Sequence, residues 1–378
     1  MKVLFISDGL SLNTGQGVGA RRNLNLVKKL SSEVLTFSLE GGIESKYEDG
    51  VNYIGYSQNL LNKLIDLFAL RFYYTKKTEV RIIENLISFK PDFIFIDSSN
   101  LGRLAKIISK HNKNIVTYFI DFNTIKIFEM LKINGFKNIF KYISLFINEL
   151  YCIRYSKAIY ILTEREKYFI NKFKKNLKIY ILPITIEDKF KQEIDSQTSI
   201  ENNKKILFVG ANYYPNIIGI QLFIDKVFSR LNNYELLIIG KDFDKVKLNT
   251  YGNNHIKIYS NVNSEDLIRN YNNANLVICP IFHGGGMKIK IAEGLMFGKV
   301  LIVSSFALLG YDENVNSSDL YICDNIESFY ESILLAEKTS SFKNKYSEQN
   351  RTNYLKNYTY KNSEQIFIDS FNYLLNEF

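Results

Sequence analysis

The 378-residue sequence has no tryptophan, few cysteines and few histidines. Its three cysteines are too few for a disulfide framework and too widely spaced for a CxxC metal motif: Cys152, Cys279 and Cys323. The three histidines do not cluster either: His111, His255 and His283. A zinc or iron site is therefore not expected, and the scarcity of cysteine fits a reducing compartment.

Long hydrophobic runs are also missing. No stretch approaches the ~20 apolar residues that a membrane-spanning helix needs. The apolar run near the N-terminus, Val3–Ile6, is much shorter than that of a signal peptide, and Asp8 and Gly9 follow it without a small-residue cleavage site. The segment is predicted to be a first β-strand. We expect a cytoplasmic protein and leave open a place at the inner face of the membrane.

The remaining composition is that of a globular protein, with 46% hydrophobic and 23% charged residues. The length predicts two domains, since a domain averages ~150 residues. Lys and Arg number 48 against 39 Asp and Glu, a net charge of +9. This excess admits nucleic acid, an anionic membrane surface or phosphorylated small molecules as partners. Nucleic acid is disfavoured because the lysines are scattered and no nucleic-acid motif is present.

Short, continuous apolar runs alternate with longer helical patterns, which is typical of doubly wound α/β sheets whose parallel strands are covered on both faces. Six strands are predicted in the first half: Val3–Ser7, Glu33–Leu39, Phe93–Asp97, Ile115–Phe119, Ala158–Leu162 and Ile179–Leu182. Helices are predicted between them at 18–30, 80–89, 101–110 and 139–155. Six further strands follow: Lys205–Val209, Glu235–Ile239, Ile256–Tyr259, Leu276–Cys279, Val300–Val303 and Leu320–Cys323.

The pattern stops in a polar stretch between the two halves. We therefore expect an N-terminal Rossmann-like domain at 1–186, a linker at 187–204 and a second Rossmann-like domain at 205–350. The last stretch, 351–378, has helical spacing of its apolar residues and is expected to be a helix that crosses back to the first domain. Phe140–Tyr155 is amphipathic with basic residues nearby; a core helix is favoured over a membrane-docking one.

Ligands of such sheets bind beyond the carboxyl ends of the strands. The loop after the first strand has Gly15, Gly17 and Gly19, which let a backbone approach a ligand before a helix N-terminus that attracts anions. The spacing is not GxGxxG, and no acidic residue is clearly placed at the end of the second strand, so nicotinamide binding is disfavoured. A plain strand-to-helix turn is the alternative.

A second glycine-rich loop carries the stronger signal. After the strand that ends at Pro280, the glycines 284–286 expose backbone N–H groups, and a helix is predicted to begin near Met287. Lys288 and Lys290 then lie in its first turn, where cations oppose the helix macrodipole unless they share an anion with it. A diphosphate would supply that anion.

An acidic residue follows on the same helix. Glu293 lies three residues after Lys290, close to one helical turn, so the two side chains can share a face. A carboxylate beside a phosphate site is suited to accept hydrogen bonds from ribose hydroxyls.

The segment GGGMKIKIAEGLMFGKVLIV, residues 284–303, resembles the donor-binding segment of glycosyltransferase family 4, whose members are retaining enzymes with the GT-B fold. KILFVGANYYPNIIG, residues 205–219, is similar to the opening of that family's second domain, and LLIIG (236–240) and NLVICP (275–280) match in order. The resemblance covers essentially the whole chain and is most specific in 205–304. It implies the GT-B fold: two doubly wound Rossmann-like domains facing a central cleft, with the donor mainly on the second domain and the acceptor on the first.

The resemblance also implies roles for individual residues. Lys290 would contact the donor diphosphate with help from Lys288, and Glu293 would hold the ribose. Catalytic roles are implied for Asp121, Lys290 and Glu293. Donor contacts are implied for Gly15, Gln16, Gly17, Gly240, Lys241, His283, Gly284, Gly285, Gly286, Met287, Lys288, Lys290 and Glu293. For His283 a structural or solvent-exposed role is an equal alternative.

Three departures from the family pattern stand out. Gly285 occupies the position, eight residues before the ribose glutamate, where many members carry Glu. The Arg and Lys that many members place after the first strand of this domain are absent from 211–219, which leaves more of the diphosphate charge to Lys288 and Lys290. Pro183-Ile184-Thr185 stands where Pro-Asn-Gly is usual.

A metal-bound donor is the other arrangement to consider, because Asp242-x-Asp244 has the form of the metal motif of the unrelated GT-A fold. The motif lies in a Lys-flanked loop midway through the second domain, so this interpretation is disfavoured. No metal is expected.

The leading hypothesis is a retaining, metal-independent, hexosyltransferase-type enzyme. It would move a sugar from a nucleoside-diphosphate donor, UDP-sugar favoured, to the hydroxyl of a saccharide or lipid-linked acceptor. The resemblance implies bacterial surface-polysaccharide or glycolipid biosynthesis, and a peripheral contact with an anionic membrane is a further expectation. No cofactor and no nucleic acid are expected. The open alternatives are a nucleotide-sugar epimerase of the same fold and a non-catalytic nucleotide-sugar-binding relative.

Overall fold

The computed structural model describes residues 1–11, 15–41, 43–57, 59–72, 74–120, 122–123, 139–190, 204–311 and 315–375. The chain divides into two compact units. The first comprises Met1–Pro183 and Ser363–Phe378, and the second comprises Ile184–Asn362. Most of the stretch predicted as a linker, residues 191–203, lies outside the described residues.

The first unit contains an eight-stranded sheet in the order β3-β4-β2-β1-β5-β6-β7-β8. Its strands are β1 (Lys2–Ser7), β2 (Glu33–Gly41), β3 (Lys46–Glu48), β4 (Val51–Tyr56), β5 (Phe93–Asp97), β6 (Ile115–Tyr118), β7 (Ala158–Ile161) and β8 (Lys178–Ile181). Neighbouring strands are parallel except β3, which pairs antiparallel with β4. Ser7 pairs with Ser38 on one side and Asp97 on the other, so the carboxyl ends of β1, β2 and β5 meet at one edge.

Helices pack against this sheet because its central strands are apolar along their whole length and must be covered on both faces. They are α1 (Gly15–Leu30), α2 (Leu60–Phe68), α3 (Lys76–Phe89), α4 (Gly102–Ile108), α5 (Ile139–Tyr155) and α6 (Glu164–Phe173), with a 3₁₀ turn at Ser99–Leu101. The C-terminal segment also joins this core. Phe371 packs edge-on to Phe93 with ring centroids 4.8 Å apart, and the hydroxyls of Ser370 and Tyr160 are hydrogen-bonded at 2.8 Å.

The second unit contains a six-stranded parallel sheet in the order β11-β10-β9-β12-β13-β14. Its strands are β9 (Lys204–Val209), β10 (Tyr234–Gly240), β11 (Ile256–Ser260), β12 (Leu276–Cys279), β13 (Val300–Ser304) and β14 (Leu320–Cys323). The remaining helices are α7 (Tyr214–Lys226), α8 (Ser264–Asn273), α9 (Ile289–Met296), α10 (Glu327–Ala336), α11 (Ser340–Lys343), α12 (Glu348–Asn357) and α13 (Tyr360–Leu375). Two 3₁₀ turns lie at Phe228–Arg230 and Phe243–Lys245.

All twelve predicted strands are present to within two residues at each end. The sequence analysis did not predict β3, β4, α2 or α6. The burial of β4 is interrupted and β3 is exposed throughout, so neither has the continuous apolar run by which the other strands were identified.

The stretch predicted as one C-terminal helix at 351–378 is two helices, α12 and α13. Between them Thr359 bridges to Ile186, and the Ile186 N–H donates to the Tyr358 carbonyl at 3.0 Å. Pairing with an extended segment requires non-helical backbone, and this ends α12. Among the helices that the structure describes, none is long and apolar enough to span a bilayer.

Candidate functional site

Three loops of the second unit converge at the carboxyl edge of its sheet. The Gly210 N–H donates to the Ile239 carbonyl at 2.9 Å, and the Asn212 N–H donates to the Lys241 carbonyl at 2.8 Å. These bonds tie the loop after β9 to the loop after β10. Helix α7 continues from the loop after β9. The loop after β12 packs closely against this helix and therefore reaches the same edge of the sheet.

Two glycines make these close approaches feasible. A Cβ atom on Gly240 would lie 1.6 Å from the Gly210 carbonyl oxygen, and one on Gly219 would lie 2.1 Å from the Pro280 carbonyl oxygen. No side chain fits at either position, since real Cβ atoms do not come so near a backbone atom. Gly240 therefore has a structural reason to be glycine, in addition to the predicted place near the donor base.

The predicted glycine loop lies in front of two helix N-termini. Gly284 and Gly286 have φ values of 109° and 65°, a backbone conformation that glycine adopts readily and other residues rarely do. The Cβ position of Gly284 lies 3.4 Å from Cγ of Pro215, which is in the first turn of α7. The loop thus runs from the start of α7 to the start of α9, and both helices direct N–H groups and positive dipole ends toward it.

Lys290 lies in the first turn of α9, as predicted, although the helix begins at Ile289. Its side chain is buried, its Nζ donates to Oδ1 of Asn216 at 2.8 Å, and the same ammonium lies 4.3 Å from the ring centroid of Phe208. Burial lowers the pKa of Lys290 because the ammonium loses water that favours its charged form.

Among the residues that the structure describes, no carboxylate lies within ion-pair distance of the Lys290 ammonium. Glu293, one turn later, raises the lysine pKa only through its field. A buried cation at a helix N-terminus without an ion-pair partner is an unfavourable arrangement that a bound anion would relieve. The arrangement is an electrostatic indication of an anionic ligand at this helix start.

Lys288 has a different environment from Lys290. It is the N-cap residue of α9, and its Nζ donates to the carbonyls of Gly285 and Gly286, both at 2.8 Å. Its ammonium also lies 5.5 Å from the ring centroid of Phe306. Lys288 therefore closes the glycine loop on itself, and its predicted assistance to the diphosphate stays a prediction.

Glu293 is held by a tyrosine from another helix. The Tyr271 hydroxyl, on α8, donates to Oε2 of Glu293 at 2.7 Å, and the Tyr271 ring stacks on Phe297 with centroids 4.6 Å apart. Burial raises the pKa of Glu293, while the hydrogen bond from Tyr271 and the charge of Lys290 act in the opposite direction. Tyr271 thus orients the carboxylate and supports its ionised form.

The other predicted donor contacts in this unit are more peripheral. His283 and Lys241 are exposed. Met287 is buried, and its sulfur accepts the Ile184 N–H at 3.5 Å, which is a packing role.

The two aspartates of Asp242-x-Asp244 do not converge on a common point. Asp242 pairs with Lys245 at 2.7 Å, and Asp244 accepts a hydrogen bond from the Ser260 hydroxyl. Among the described residues, no three His, Cys, Asp or Glu side chains are grouped so that they could hold a metal ion.

In the first unit, Gly15, Gln16 and Gly17 form the first turn of α1, which begins three residues earlier than the sequence reading placed it. Nε2 of Gln16 donates to Oδ1 of Asp8 at 2.8 Å. The predicted catalytic residue Asp121 and the loop residues 12–14 lie outside the described residues.

Asp8 is fixed from the other side by the loop after β5. Its Oδ2 accepts from the Ser98 hydroxyl at 2.8 Å and from Nδ2 of Asn100 at 2.9 Å. Asp97, at the end of β5, accepts from Nδ2 of Asn23 at 2.7 Å, and burial raises its pKa to about 7. This edge of the first unit is lined by mutually hydrogen-bonded carboxylates, amides and hydroxyls.

The expectation that no acidic residue ends β2 is wrong. Glu40 lies one residue before the end of β2, is buried, and accepts the Ser11 N–H at 2.9 Å as well as the hydroxyls of Ser11 and Ser38. These bonds use the carboxylate to close the loop after β1. The sequence reading failed because Glu40 was placed after the predicted end of the strand.

The segment that contains this geometry also has a recognisable sequence. Residues 203–336 match the family model of glycosyl transferases group 1. The match includes Asn216, Tyr271, Lys290 and Glu293, and it extends over less than half of the chain. No curated protein sequence matches the chain.

Solved structures match over the whole length. Sucrose-phosphate synthase from Thermosynechococcus elongatus superposes with a TM-score of 0.78 at 11% identity, covering 100% of both chains. Anabaena HepE in complex with UDP and glucose gives a TM-score of 0.70 at 11% identity, covering 98% of this chain and 99% of that one. The lipopolysaccharide outer core galactosyltransferase WaaB gives 0.65 at 13% identity, covering 98% and 100%.

These solved structures are glycosyltransferases of the GT-B fold, and at such low identity the likeness shows the fold alone. The predicted fold class, α/β with two doubly wound Rossmann-like domains, is confirmed. The cleft between the two domains stays a prediction.

Sequence reasoning missed the partners of the two charged residues. Asn216 was inside a segment already noticed for its resemblance, so an amide near a helix start could have been suspected there. For Tyr271 the sequence offered no signal, because a tyrosine within an apolar helix face is usually a core residue.

Proposed function

We propose that the protein is a retaining glycosyltransferase of family 4 that transfers a hexosyl group from a nucleoside-diphosphate sugar, a UDP-sugar by preference, to an acceptor hydroxyl. The observation that carries the proposal is Lys290, a buried ammonium without an ion-pair carboxylate among the described residues, at the N-terminus of α9 and behind a glycine loop. The family match at 203–336 and the fold support it.

In this proposal the donor diphosphate lies against the N-terminus of α9, where Lys290 and backbone N–H groups of the glycine loop contact its oxygens. Glu293, oriented by Tyr271, accepts hydrogen bonds from the ribose hydroxyls. As the bond between the anomeric carbon and the diphosphate breaks, negative charge develops on the diphosphate. Preorganised cations and N–H groups stabilise that charge more than the ground state, which lowers the barrier. The proposal includes no metal ion and no cofactor.

We further propose that the acceptor is a saccharide or a lipid-linked glycan of bacterial surface polysaccharide or glycolipid biosynthesis, and that the enzyme works in the cytoplasm at the inner face of the membrane. One structural neighbour supports this direction by its own substrate: WaaB is a lipopolysaccharide outer core galactosyltransferase. HepE, solved with UDP and glucose, supports the proposed donor only.

The proposal is tested first by thermal unfolding with UDP-glucose, GDP-glucose and ADP-glucose. A ligand that binds only the native state stabilises it by RT ln(1 + [L]/Kd), or ~2.7 kcal/mol at a hundredfold excess over Kd. We expect UDP-glucose to raise the melting temperature of the second unit by several degrees and the other two to have smaller effects. No shift with any of the three would contradict a nucleotide-sugar site.

Incubation with the bound donor alone then separates the reaction types. Slow release of free sugar is expected of a transferase without acceptor. Isomerised donor would identify an epimerase instead, and binding without turnover on any acceptor would identify a non-catalytic relative.

Donor affinity is expected to fall at acidic pH, and Tyr271→Phe should move this acid limb of the pH profile to higher pH. The ribose contact needs ionised Glu293, whose pKa is already raised by burial. Loss of the Tyr271 hydrogen bond removes support for the ionised form, worth ~1.5–3 kcal/mol for a charged partner, so the limb should shift upward by about one to two pH units. Calorimetric Kd values measured across pH test this. Tyr259→Phe, at an exposed tyrosine of the same unit, is the control, and equal profiles for both variants would refute the assignment.

Asn216→Ala is expected to move the alkaline limb of donor affinity to lower pH. Oδ1 of Asn216 accepts from Lys290, so its loss disfavours the charged ammonium, whose pKa burial already lowers. A downward shift of about one to two pH units follows from the same hydrogen-bond energy. Asn216→Asp should shift the limb upward, because a carboxylate favours the ammonium. Asn212→Ala, in the same loop and bonded to the Asp242 carbonyl, should leave the limb unchanged.

A further inference from the structure

The largest exposed apolar side chains of α2 share one face of that helix. Leu61, Leu64, Ile65 and Phe68 are 66%, 46%, 54% and 66% exposed, and their i, i+3, i+4, i+7 spacing places them in one stripe. The buried side of the helix is anchored by Asp66, whose carboxylate pairs with the next loop of the chain. The apolar stripe therefore faces away from the core.

Helix α5 extends this surface. Phe140 and Ile143 are 62% and 48% exposed, and the Phe140 ring lies 5.7 Å from that of Phe68. Beneath them the two elements are hydrogen-bonded. The Ser144 hydroxyl donates to the Leu67 carbonyl at 3.0 Å. The six exposed side chains thus form one fixed surface, the α2–α5 patch: Leu61, Leu64, Ile65, Phe68, Phe140 and Ile143.

The sequence reading favoured a core role for the amphipathic segment 140–155 over membrane docking. Its C-terminal half is indeed in the core, where Cys152 and Ile153 are buried. Its first turn instead belongs to the α2–α5 patch. Both roles therefore coexist in one helix.

The charges on these two helices are of one sign at the surface. Lys63 and Lys141 are exposed, whereas the one acidic residue of each helix, Asp66 on α2 and Glu149 on α5, is buried. Within these two described helices the exposed charge is therefore wholly positive.

The next helix, α3, is joined to α2 by an arginine and carries exposed charges of both signs, the acidic one being Glu84. Arg71 pairs with Asp66 of α2 and with Glu79 of α3, both at 3.1 Å, and so ties the two helices together. Helix α3 begins with the exposed lysines Lys76 and Lys77.

We propose that the α2–α5 patch docks the protein on an anionic lipid bilayer, with the six apolar side chains at the headgroup boundary and the exposed lysines of the two helices reaching the lipid phosphates. An apolar face on a helix whose exposed charges are lysines of the polar face is the composition that interfacial helices use. A second copy of the chain is a poorer occupant, because a two-fold contact would bring the lysines of one patch against those of the other. The docking proposal rests on the proposed function in one respect only: a lipid-linked acceptor would require the enzyme to work at a membrane.

The proposal is tested by co-sedimentation with vesicles of phosphatidylglycerol and phosphatidylcholine, using the full-length protein. We expect binding at low salt that weakens at high salt and on vesicles of phosphatidylcholine alone. Leu64→Glu/Phe68→Glu should lower the partition coefficient by at least about tenfold, since it replaces two inserted apolar groups by repelled charges. The matched control is Leu334→Glu/Leu335→Glu on α10, where the replaced side chains are 38% and 55% exposed.

Lys63→Gln and Lys141→Gln should each weaken vesicle binding by about fivefold, which corresponds to ~1 kcal/mol per lysine at an anionic surface. The docking proposal is overturned if the wild-type protein does not bind at low salt, or if the patch and control variants bind equally. A concentration-dependent dimer in sedimentation velocity that the patch variant abolishes would assign the surface to a second copy instead.

The UDP-glucose thermal shift separates this proposal from the proposed enzyme function. We expect the patch variant to keep the full shift. Loss of vesicle binding with the shift retained supports docking by the patch, whatever reaction the second unit performs.

Discussion

Lys290→Ala is expected to lower sugar transfer by about 10²–10³-fold, because it removes the cation that the structure buries at the N-terminus of α9. That is the size of effect found when a single preorganised donor to a developing negative charge is deleted, ~3–4 kcal/mol in the barrier. Steady-state rates with UDP-glucose and a suitable acceptor measure it. Transfer at near wild-type rates would refute the placement of the diphosphate.

The same variant should behave differently in a stability measurement. A buried ammonium without an ion-pair partner among the described residues costs free energy, so its removal should leave the melting temperature unchanged or raise it. The stabilisation by UDP-glucose should disappear at the same time. Lys338→Ala, at an exposed lysine of the same unit, should change neither rate nor melting behaviour. This combination distinguishes a lost ligand contact from a damaged fold.

Gly240→Ala is expected to destabilise the second unit by about 3 kcal/mol or more and to abolish measurable binding of the proposed donor. The new Cβ would lie 1.6 Å from the Gly210 carbonyl oxygen, so the loops after β9 and β10 must separate. Backbone displacement of this kind costs at the upper end of overpacking energies, ~1–3 kcal/mol and occasionally more. Because the Gly210 loop leads into Asn216, which holds Lys290, the site should lose its geometry together with the stability.

Denaturant unfolding and UDP-glucose titration measure both effects. Gly19→Ala in helix α1 is the comparison, since apart from its chain neighbours and the backbone of its own helix nothing lies within 4 Å of its Cβ position. That change should be neutral or stabilising by ~0.5–1 kcal/mol, the usual difference between glycine and alanine in a helix. A Gly240→Ala protein as stable as wild type would show that the two loops can separate without loss of packing.

The alternation of strands and helices could be predicted because each element depends on the local spacing of apolar residues along the sequence. A strand covered on both faces must be continuously apolar, and all twelve strands recognised by that pattern are present. Partly buried elements were not recognised, because they lack a continuous apolar run. Strand β3 is the exposed edge strand, and in its neighbour β4 half-buried positions interrupt the apolar run. The short helix α2 leaves one apolar face exposed.

The candidate site could be predicted only in part. A glycine-rich loop followed by a lysine is a local pattern, and Lys290 lies at the helix start that the pattern predicts. The side chain of Lys288 could not be anticipated, because its Nζ turns back to the carbonyls of Gly285 and Gly286. Which of two lysines faces a ligand depends on loop geometry that spacing alone does not contain.

By itself the sequence determined the α/β class, the two-domain organisation and the helix turn that carries Lys290 and Glu293, since each depends on neighbours within a few residues. Only the tertiary structure decided their partners. Asn216 is 74 residues from Lys290 and Tyr271 is 22 residues from Glu293, and both pairs meet because strand order brings their loops and helices together. The exposure of the α2–α5 patch was decided the same way. An amphipathic pattern predicts that a helix has an apolar face, and only the packing of the whole chain decides whether another element covers it.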